Sequence, residues 1–316
     1  MVEKDLLEIK SLSQKDITEI LNLASDMKKI LSGEKYSNIL KGKTVITIFF
    51  EPSTRTRLSF ELAAKYLGAH YGNIEVSTSS VAKGESLIDT VRTVEMMKAD
   101  VVITRHNMSG TPHMLSKYTN MSIVNAGDGI NEHPTQALLD MMTIKEKKGT
   151  LKGLKVTIVG DIMHSRVARS NIWGFKKMGS EVAVCAPSTL MPSQIEKMGV
   201  KAYNNIEEAA NDADVVMGLR IQLERQKGGL FPTVDEYKEY FGINERILKL
   251  AKPDVLLMHP GPINRNVEVT AQAANSRYSV IEEQVTNGVA VRMAILKILC
   301  ERRNLNEDSY KKWQSN

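Results

Sequence analysis

Glu51-Pro52-Ser53-Thr54-Arg55-Thr56-Arg57 places two arginines and three hydroxyls within five consecutive residues, a density of anion-binding groups that few surface turns have. They follow the β-branched run TVITIFF (44–50) and precede an amphipathic stretch, which sets them at a strand-to-helix turn. A helix begun there aims its first N–H groups and its positive dipole end at the turn, and the guanidinium groups add charge-assisted hydrogen bonds. Ser53 is placed to cap that helix. The ligand such a turn suits is an oxyanion, phosphate foremost. The plain alternative, a capped surface helix with solvated arginines, would account for Ser-Thr alone.

Arg105-His106 closes the run DVVITR (100–105), and His133-Pro134-Thr135-Gln136 opens a helix with Pro134 at a first-turn position and Gln136 on the face of His133. A histidine just ahead of a helix N-terminus is disfavoured as imidazolium, so His133 reads as a neutral ring donating one hydrogen bond, or else as a satisfied structural histidine. Ser79 and Lys83 lie in a Ser-, Thr-, Gly- and Lys-bearing segment (77–84) that by itself describes a surface loop. In the second half Arg166 and Arg220 follow strand-like runs, with Gln222 and Arg225 close behind. Fixed cations there suit carboxylates. His259-Pro260-Gly261-Pro262 is a turn with φ set at two prolines. No Ser–His–acid or Cys–His spacing is present, so no covalent nucleophile is implied. Gly160-Asp161 lacks the rest of a Gly-x-Gly-x-x-Gly, which weakens a dinucleotide reading, and His164, with no partner motif, reads as a surface residue.

These residues need a scaffold, and 316 residues are enough for about two domains. Short β-branched runs alternate with i, i+3, i+4 patterns, which is the pattern of an α/β protein with two mainly parallel sheets flanked by helices. Strands are expected at 44–50, 71–76, 100–105 and 122–127 in the first half, with helices at 56–67 and 85–98. In the second they are expected at 155–161, 181–187, 214–219, 255–260 and YSVIE (278–282). Sheets of this kind bind ligands at the carboxyl ends of their strands, where the candidate residues fall. The expected domains are 1–133 with 288–316, a connecting helix 134–149, and 150–287. The stretch 289–299 is apolar nearly all round and must bury against a surface, that of the first domain.

Composition excludes several classes. With 42% hydrophobic and 25% charged residues the chain is neither disordered nor a disulfide miniprotein. Cys185 and Cys300 read as buried reduced thiols, and no metal site is indicated. No apolar run spans a membrane and the N-terminus is charged from its third residue, so the cytoplasm is expected. The net charge of +5 raises the alternative of a nucleic-acid-binding protein. Six Lys/Arg against three Asp/Glu sit in the last 25 residues, however, a solvated tail rather than a compact basic stripe.

Four motifs in order carry a resemblance along nearly the whole chain. Ser53-Thr54-Arg55-Thr56-Arg57 behind Phe49-Phe50-Glu51, Ser79-Ser80-Val81-Ala82-Lys83-Gly84-Glu85, Arg105-His106 and His133-Pro134-Thr135-Gln136 resemble the carbamoyltransferase family. The resemblance implies that Ser53, Thr54, Arg55 and Thr56 hold the phosphate of carbamoyl phosphate, and that Thr54, Arg105 and His133 converge on its carbonyl oxygen while Gln136 meets its amide. It also implies that Ser79 and Lys83 reach a neighbouring subunit's site, so that the working form is a homotrimer. Arg220-Ile221-Gln222-Leu223-Glu224-Arg225 looks like the aspartate branch, and His259-Pro260-Gly261-Pro262 lacks the cysteine of the ornithine branch's HCLP motif. Arg166 would then bind the α-carboxylate and Arg220 and Gln222 the β-carboxylate, with Lys83 assisting and Pro260, Gly261 and Pro262 offering a backbone contact. Ion pairs of Glu51 with Arg166 and Arg225 would hold a closed state. The expected activity is carbamoyl transfer from carbamoyl phosphate to L-aspartate in pyrimidine synthesis, without a cofactor. An ornithine or other amino-acid carbamoyltransferase is the alternative. A regulatory chain or dihydroorotase as partner is left open.

Overall fold

The computed structural model describes residues 4–33, 37–75, 84–221 and 233–314, the side chains of 303–314 excepted. The chain divides into two compact units, Met1–Leu138 with Thr286–Asn316, and Leu139–Val285.

The first unit runs α1 (Gln14–Leu31), β1 (Thr44–Phe49), α2 (Thr54–Tyr66), β2 (His70–Glu75), α3 (Leu87–Met96), β3 (Val101–His106), α4 (Thr111–Leu115) and β4 (Ser122–Asp128), and it contains the start of α5 (Pro134–Lys148). The sheet order is β2-β1-β3-β4, parallel throughout. Ile48, Val102 and Ile123 pack with Val91, Val94 and Leu115 of the covering helices. From β1 the chain winds to one side and from β3 to the other, so the carboxyl ends of β1 and β3 flank the crevice where such sheets bind ligands. At that end the β3–β4 register slips: Thr104 pairs with Asn125 but His106 with Asp128. The extra residue in β4 is a bulge, a device that re-aims neighbouring side chains.

The second unit continues with β5 (Lys155–Val159), α6 (Arg166–Lys177), β6 (Glu181–Cys185), β7 (Lys201–Tyr203), α7 (Ile206–Ala210), β8 (Val215–Gly218), α8 (Val234–Phe241), α9 (Glu245–Leu250), β9 (Leu256–Met258) and α10 (Ala271–Ala274), before α11 (Ile281–Gln314) returns to the first unit. Its parallel order is β7-β6-β5-β8-β9, and the switch point lies between β5 and β8. Gly160 sits where those two strands exit, at φ +137°; a Cβ there would lie 2.8 Å from Leu219 Cβ and 3.0 Å from its carbonyl oxygen. Only glycine allows that approach.

The fifth strand is not YSVIE (278–282). That segment makes a single bridge from Ser279 to Leu257 and then enters α11, where Glu282 and Glu283 favour the positive helix end. The fifth strand is the three-residue β7, too short to show a period. On α11 the apolar stretch is buried as its all-round hydrophobicity requires, through Ala290, Val291, Met293, Ala294 and Leu296. Cys185 and Cys300 are buried and unbridged.

Candidate active site

The first unit presents its donors at the mouth of β1 and β3. A cavity of about 450 Å³ is lined by residues 49–54, Arg57 and residues 73–75. Ser53, expected to cap α2, does not: its side chain makes no capping hydrogen bond, and its backbone at φ −159°, ψ 89° departs from that of the capping serines Ser13 and Ser86. The intrahelical ladder opens with Arg57 N–H donating to Ser53 O at 3.1 Å. The first-turn amides of Thr54, Arg55 and Thr56 therefore have no acceptor within the helix.

Arg105 stands across from this turn on β3. Its Nε lies 3.3 Å from Glu51 Oε2, and its Nη1 donates to Ala126 O, in the bulge of β4, at 3.3 Å. Glu51 thus orients Arg105 within its own unit. His106 does not add a second charge: burial lowers its pKa more than the Glu51 and Asp128 carboxylates raise it, and its ring packs 4.7 Å from that of Phe50. Its Nδ1 accepts the Met108 N–H at 2.9 Å.

His133 is buried, with its carbonyl accepting the Gln136 and Ala137 N–H groups at 3.0 and 3.3 Å to start α5. The residues that fix it were not singled out in the sequence. Glu132, 2% exposed, accepts the Ile9 and Lys10 backbone N–H groups at 2.7 and 3.1 Å. Asp128, fully buried, accepts from Gly110 N, Glu132 N, Asn125 Nδ2 and Asn131 Nδ2. Buried carboxylates this well satisfied act as rigid brackets. Beside them Arg292 of α11 donates to Ser59 Oγ at 2.9 Å and Thr135 Oγ1 at 3.3 Å and lies 5.0 Å over the Phe60 ring. One guanidinium thereby joins α2, which begins at the 53–57 turn, to the first turn of α5.

In the second unit Arg166 is the first residue of α6, behind Ser165, whose side chain caps Ala168 N–H at 3.1 Å. It is 3% exposed. The dipole opposes a cation at that end of a helix, so an anion there is favoured. His164, read as a surface residue without a partner, is half-buried and has one: its Nδ1 lies 3.0 and 3.1 Å from the two oxygens of buried Asp161. The spacing of three residues was the available signal. Arg220 follows β8 across the switch point from Arg166.

His259 N–H donates to Gln284 Oε1 at 2.9 Å, and its Nδ1 accepts Gly261 N–H at 2.9 Å, which holds the Pro260-Gly261-Pro262 turn. Gln284 in turn donates to Asp140 at 2.7 Å, as Asn171 of α6 does at 2.8 Å. Ser79, Lys83, Gln222 and Arg225 lie outside the described residues. Among the described residues no group of three or more His, Cys, Asp or Glu could hold a metal ion, and no helix is long and apolar enough to cross a membrane.

Residues 4–146 match the family model described as aspartate/ornithine carbamoyltransferase, carbamoyl-P binding domain, and residues 152–299 match its Asp/Orn binding domain. An aspartate carbamoyltransferase catalytic subunit from Caldanaerobacter subterraneus subsp. tengcongensis is 79% identical over 304 residues, 96% of this chain and 100% of that protein. The crystal structure of aspartate transcarbamoylase from Trypanosoma cruzi in complex with carbamoyl phosphate superposes with a TM-score of 0.85 at 30% identity, over 93% of this chain and 94% of that one. Ornithine carbamoyltransferase from Thermus thermophilus gives a TM-score of 0.85 at 26% identity, over 95% and 100%. Turn chemistry, switch-point geometry and these matches over both halves agree, and the chain belongs to the aspartate/ornithine carbamoyltransferase family.

Proposed function

We infer that the chain transfers the carbamoyl group of carbamoyl phosphate to the amine of L-aspartate, giving N-carbamoyl-L-aspartate and phosphate. The backbone fold does not choose between amino-acid substrates, since the aspartate and ornithine enzymes superpose equally well. The 79% identity to an aspartate carbamoyltransferase catalytic subunit carries the choice. Arg166 and Arg220 at the carboxyl ends of the second sheet support it, because a dicarboxylate needs two fixed cations and ornithine would need an acid.

In this reading Ser53, Thr54, Arg55 and Thr56 hold the phosphate through hydroxyls, a guanidinium and the first-turn amides of α2. Glu51 holds Arg105 in place, and Thr54, Arg105 and His133 face the carbonyl oxygen. The aspartate amine attacks the carbonyl carbon and its electron pair forms the new C–N bond. Negative charge gathers on the carbonyl oxygen, where those donors stabilise it. The C–O bond to phosphate then breaks, phosphate leaves with the electron pair, and the proton released by the amine passes to it. Catalysis rests on positioning and electrostatics, with orientation alone able to supply about 7–11 kcal/mol. Gln136 orients the amide, Arg166 takes the α-carboxylate, Arg220 and Gln222 take the β-carboxylate, and Pro260, Gly261 and Pro262 supply backbone contacts. Ser79 and Lys83 act in the site of a neighbouring copy of a homotrimer, and Arg166 and Arg225 pair with Glu51 in a closed state.

Rates with aspartate, ornithine and N-acetylornithine, each with carbamoyl phosphate, test the substrate. Turnover of aspartate is expected, and exclusive use of ornithine would overturn the inference. A native mass of one chain rather than three would refute the shared site.

A further inference from the structure

Two stretches of the second unit carry the proposed contacts to the amino acid: the exit of β8, with Arg220, and the Pro260-Gly261-Pro262 turn. A single side chain joins them. Glu268 is 1% exposed. Its Oε1 accepts the Ile221 N–H at 2.9 Å and Asn264 Nδ2 at 2.7 Å, and its Oε2 accepts the Asn264 N–H at 2.9 Å. Ile221 directly follows Arg220, and Asn264 lies two residues beyond Pro262. The carboxylate is itself anchored from behind, because Ile243 N–H donates to Glu268 O at 2.8 Å and Thr270 N–H to Ile243 O at 3.0 Å. Ile243 and Val269 are both fully buried.

Two loops can be tied together cheaply by apolar packing or by neutral groups. A carboxylate in a site so dry is a costly tie, and burial raises its pKa against the hydrogen bonds that favour the ionised form. What the carboxylate supplies that apolar packing would not is directional fixing: each oxygen binds a specified N–H, so neither loop can slide along the other. The distance between an anchor for the distal carboxylate and a turn near the reacting amine is what measures the length of an amino-acid substrate.

We propose that Glu268 is a positioning residue for substrate length: by holding Ile221 and Asn264 on one carboxylate it sets the separation of Arg220 from the Pro260-Gly261-Pro262 turn, and so favours aspartate over the dicarboxylate one methylene longer. The proposal rests on the reading of Arg220 and that turn as amino-acid contacts.

The test uses the full chain with Glu268→Ala, Glu268→Gln, Asn264→Ala and Arg220→Ala, measuring kcat and KM for aspartate, for glutamate and for carbamoyl phosphate. Hydrogen bonds to a charged acceptor correspond to about 10–100-fold, so Glu268→Ala is expected to raise the aspartate KM by that factor while the carbamoyl phosphate KM stays within about twofold. The preference for aspartate over glutamate in kcat/KM should fall. Glu268→Gln, which keeps one carbonyl oxygen as acceptor, should retain part of the preference. Asn264→Ala, which removes only the Nδ2 donor, should shift the same parameter less and keeps the idea testable if Glu268→Ala does not fold. Unchanged discrimination in Glu268→Gln and Asn264→Ala, or a loss of kcat equal for both amino acids, overturns the proposal. If Arg220→Ala leaves the aspartate KM unchanged, the reading of the site itself fails and the proposal falls with it. If Arg220→Ala raises that KM and the Glu268 variants do not, the proposal alone falls.

Discussion

Glu132→Ala is the perturbation that best separates a bracket from a bystander. Glu132 touches no proposed substrate group, yet it is the residue immediately before His133 and is almost fully buried. Its two oxygens accept the amides of Ile9 and Lys10, more than 120 positions away, at 2.7 and 3.1 Å. Ile9 is fully buried, so its amide would be stranded, at about 1–3 kcal/mol for an unsatisfied buried donor. Lys10 is exposed, and its amide would regain water at a cost of about 1 kcal/mol or less. The sum is about 1–4 kcal/mol, which for a unit of this size is a fall in melting temperature of about 2–16 °C. Thermal unfolding followed by circular dichroism at fixed protein concentration measures it, and kcat measured well below the melting point should fall as His133 loses its bracket. Glu132→Gln, able to satisfy only one of the two amides, should fall between. A Glu132→Ala protein melting within about 2 °C of the parent would refute the reasoning.

Other outcomes follow from the same geometry. If His133 has its proposed role as a donor to the carbonyl oxygen and not to phosphate, His133→Ala is expected to lower kcat by about 10²–10³ while protection of the protein by inorganic phosphate is retained; a loss confined to KM would contradict that role. Gly160→Ala combines backbone strain with a clash against Leu219 and should cost about 2–6 kcal/mol, read by urea unfolding, with a raised KM for aspartate. The lowered pKa of His106 means that the unfolded chain takes up this proton first as the pH falls. Its contribution is therefore present above the ordinary value of 6.5 and is lost as the pH drops from there toward the folded pKa. Melting temperatures in that acid range should fall less steeply in His106→Gln; parallel curves would show that this residue does not set the slope.

Much of the fold was legible because its signals are local. The runs behind β1, β3, β5 and β8 are rich in β-branched residues, and Pro134 with Gln136 two positions later marks the start of α5 within the four residues 133–136. The turn proposed to hold an anion stood out for the same reason, since its groups are neighbours in the chain. What escaped was of two kinds. β7 is too short for periodicity, and YSVIE has strand composition but gives way to a helix whose acidic first turn outweighs it. The residues that hold the site form the other kind: Glu132 with Ile9, Arg292 with Thr135, and Glu268 with Ile221 are joined only by folding. Ser53 misled because capping propensity is a statement about serines in general, and this one makes no capping hydrogen bond to its helix. His164 was within reach, with Asp161 three positions back.

The uncapped start of α2 has a thermodynamic reading as well as a chemical one. A helix that leaves its first amides to be completed from outside hands part of its own folding to its ligand, so an anion at that turn serves as a piece of secondary structure. The consequence is mass action: an anion at one hundred times its dissociation constant would add about 2.7 kcal/mol to the stability of the first unit. The amides that slow most in hydrogen exchange would be those of Thr54 and Thr56. A cell rich in this substrate would thus hold a more durable enzyme than a starved one, with the concentration of a metabolite written into the lifetime of the protein that consumes it.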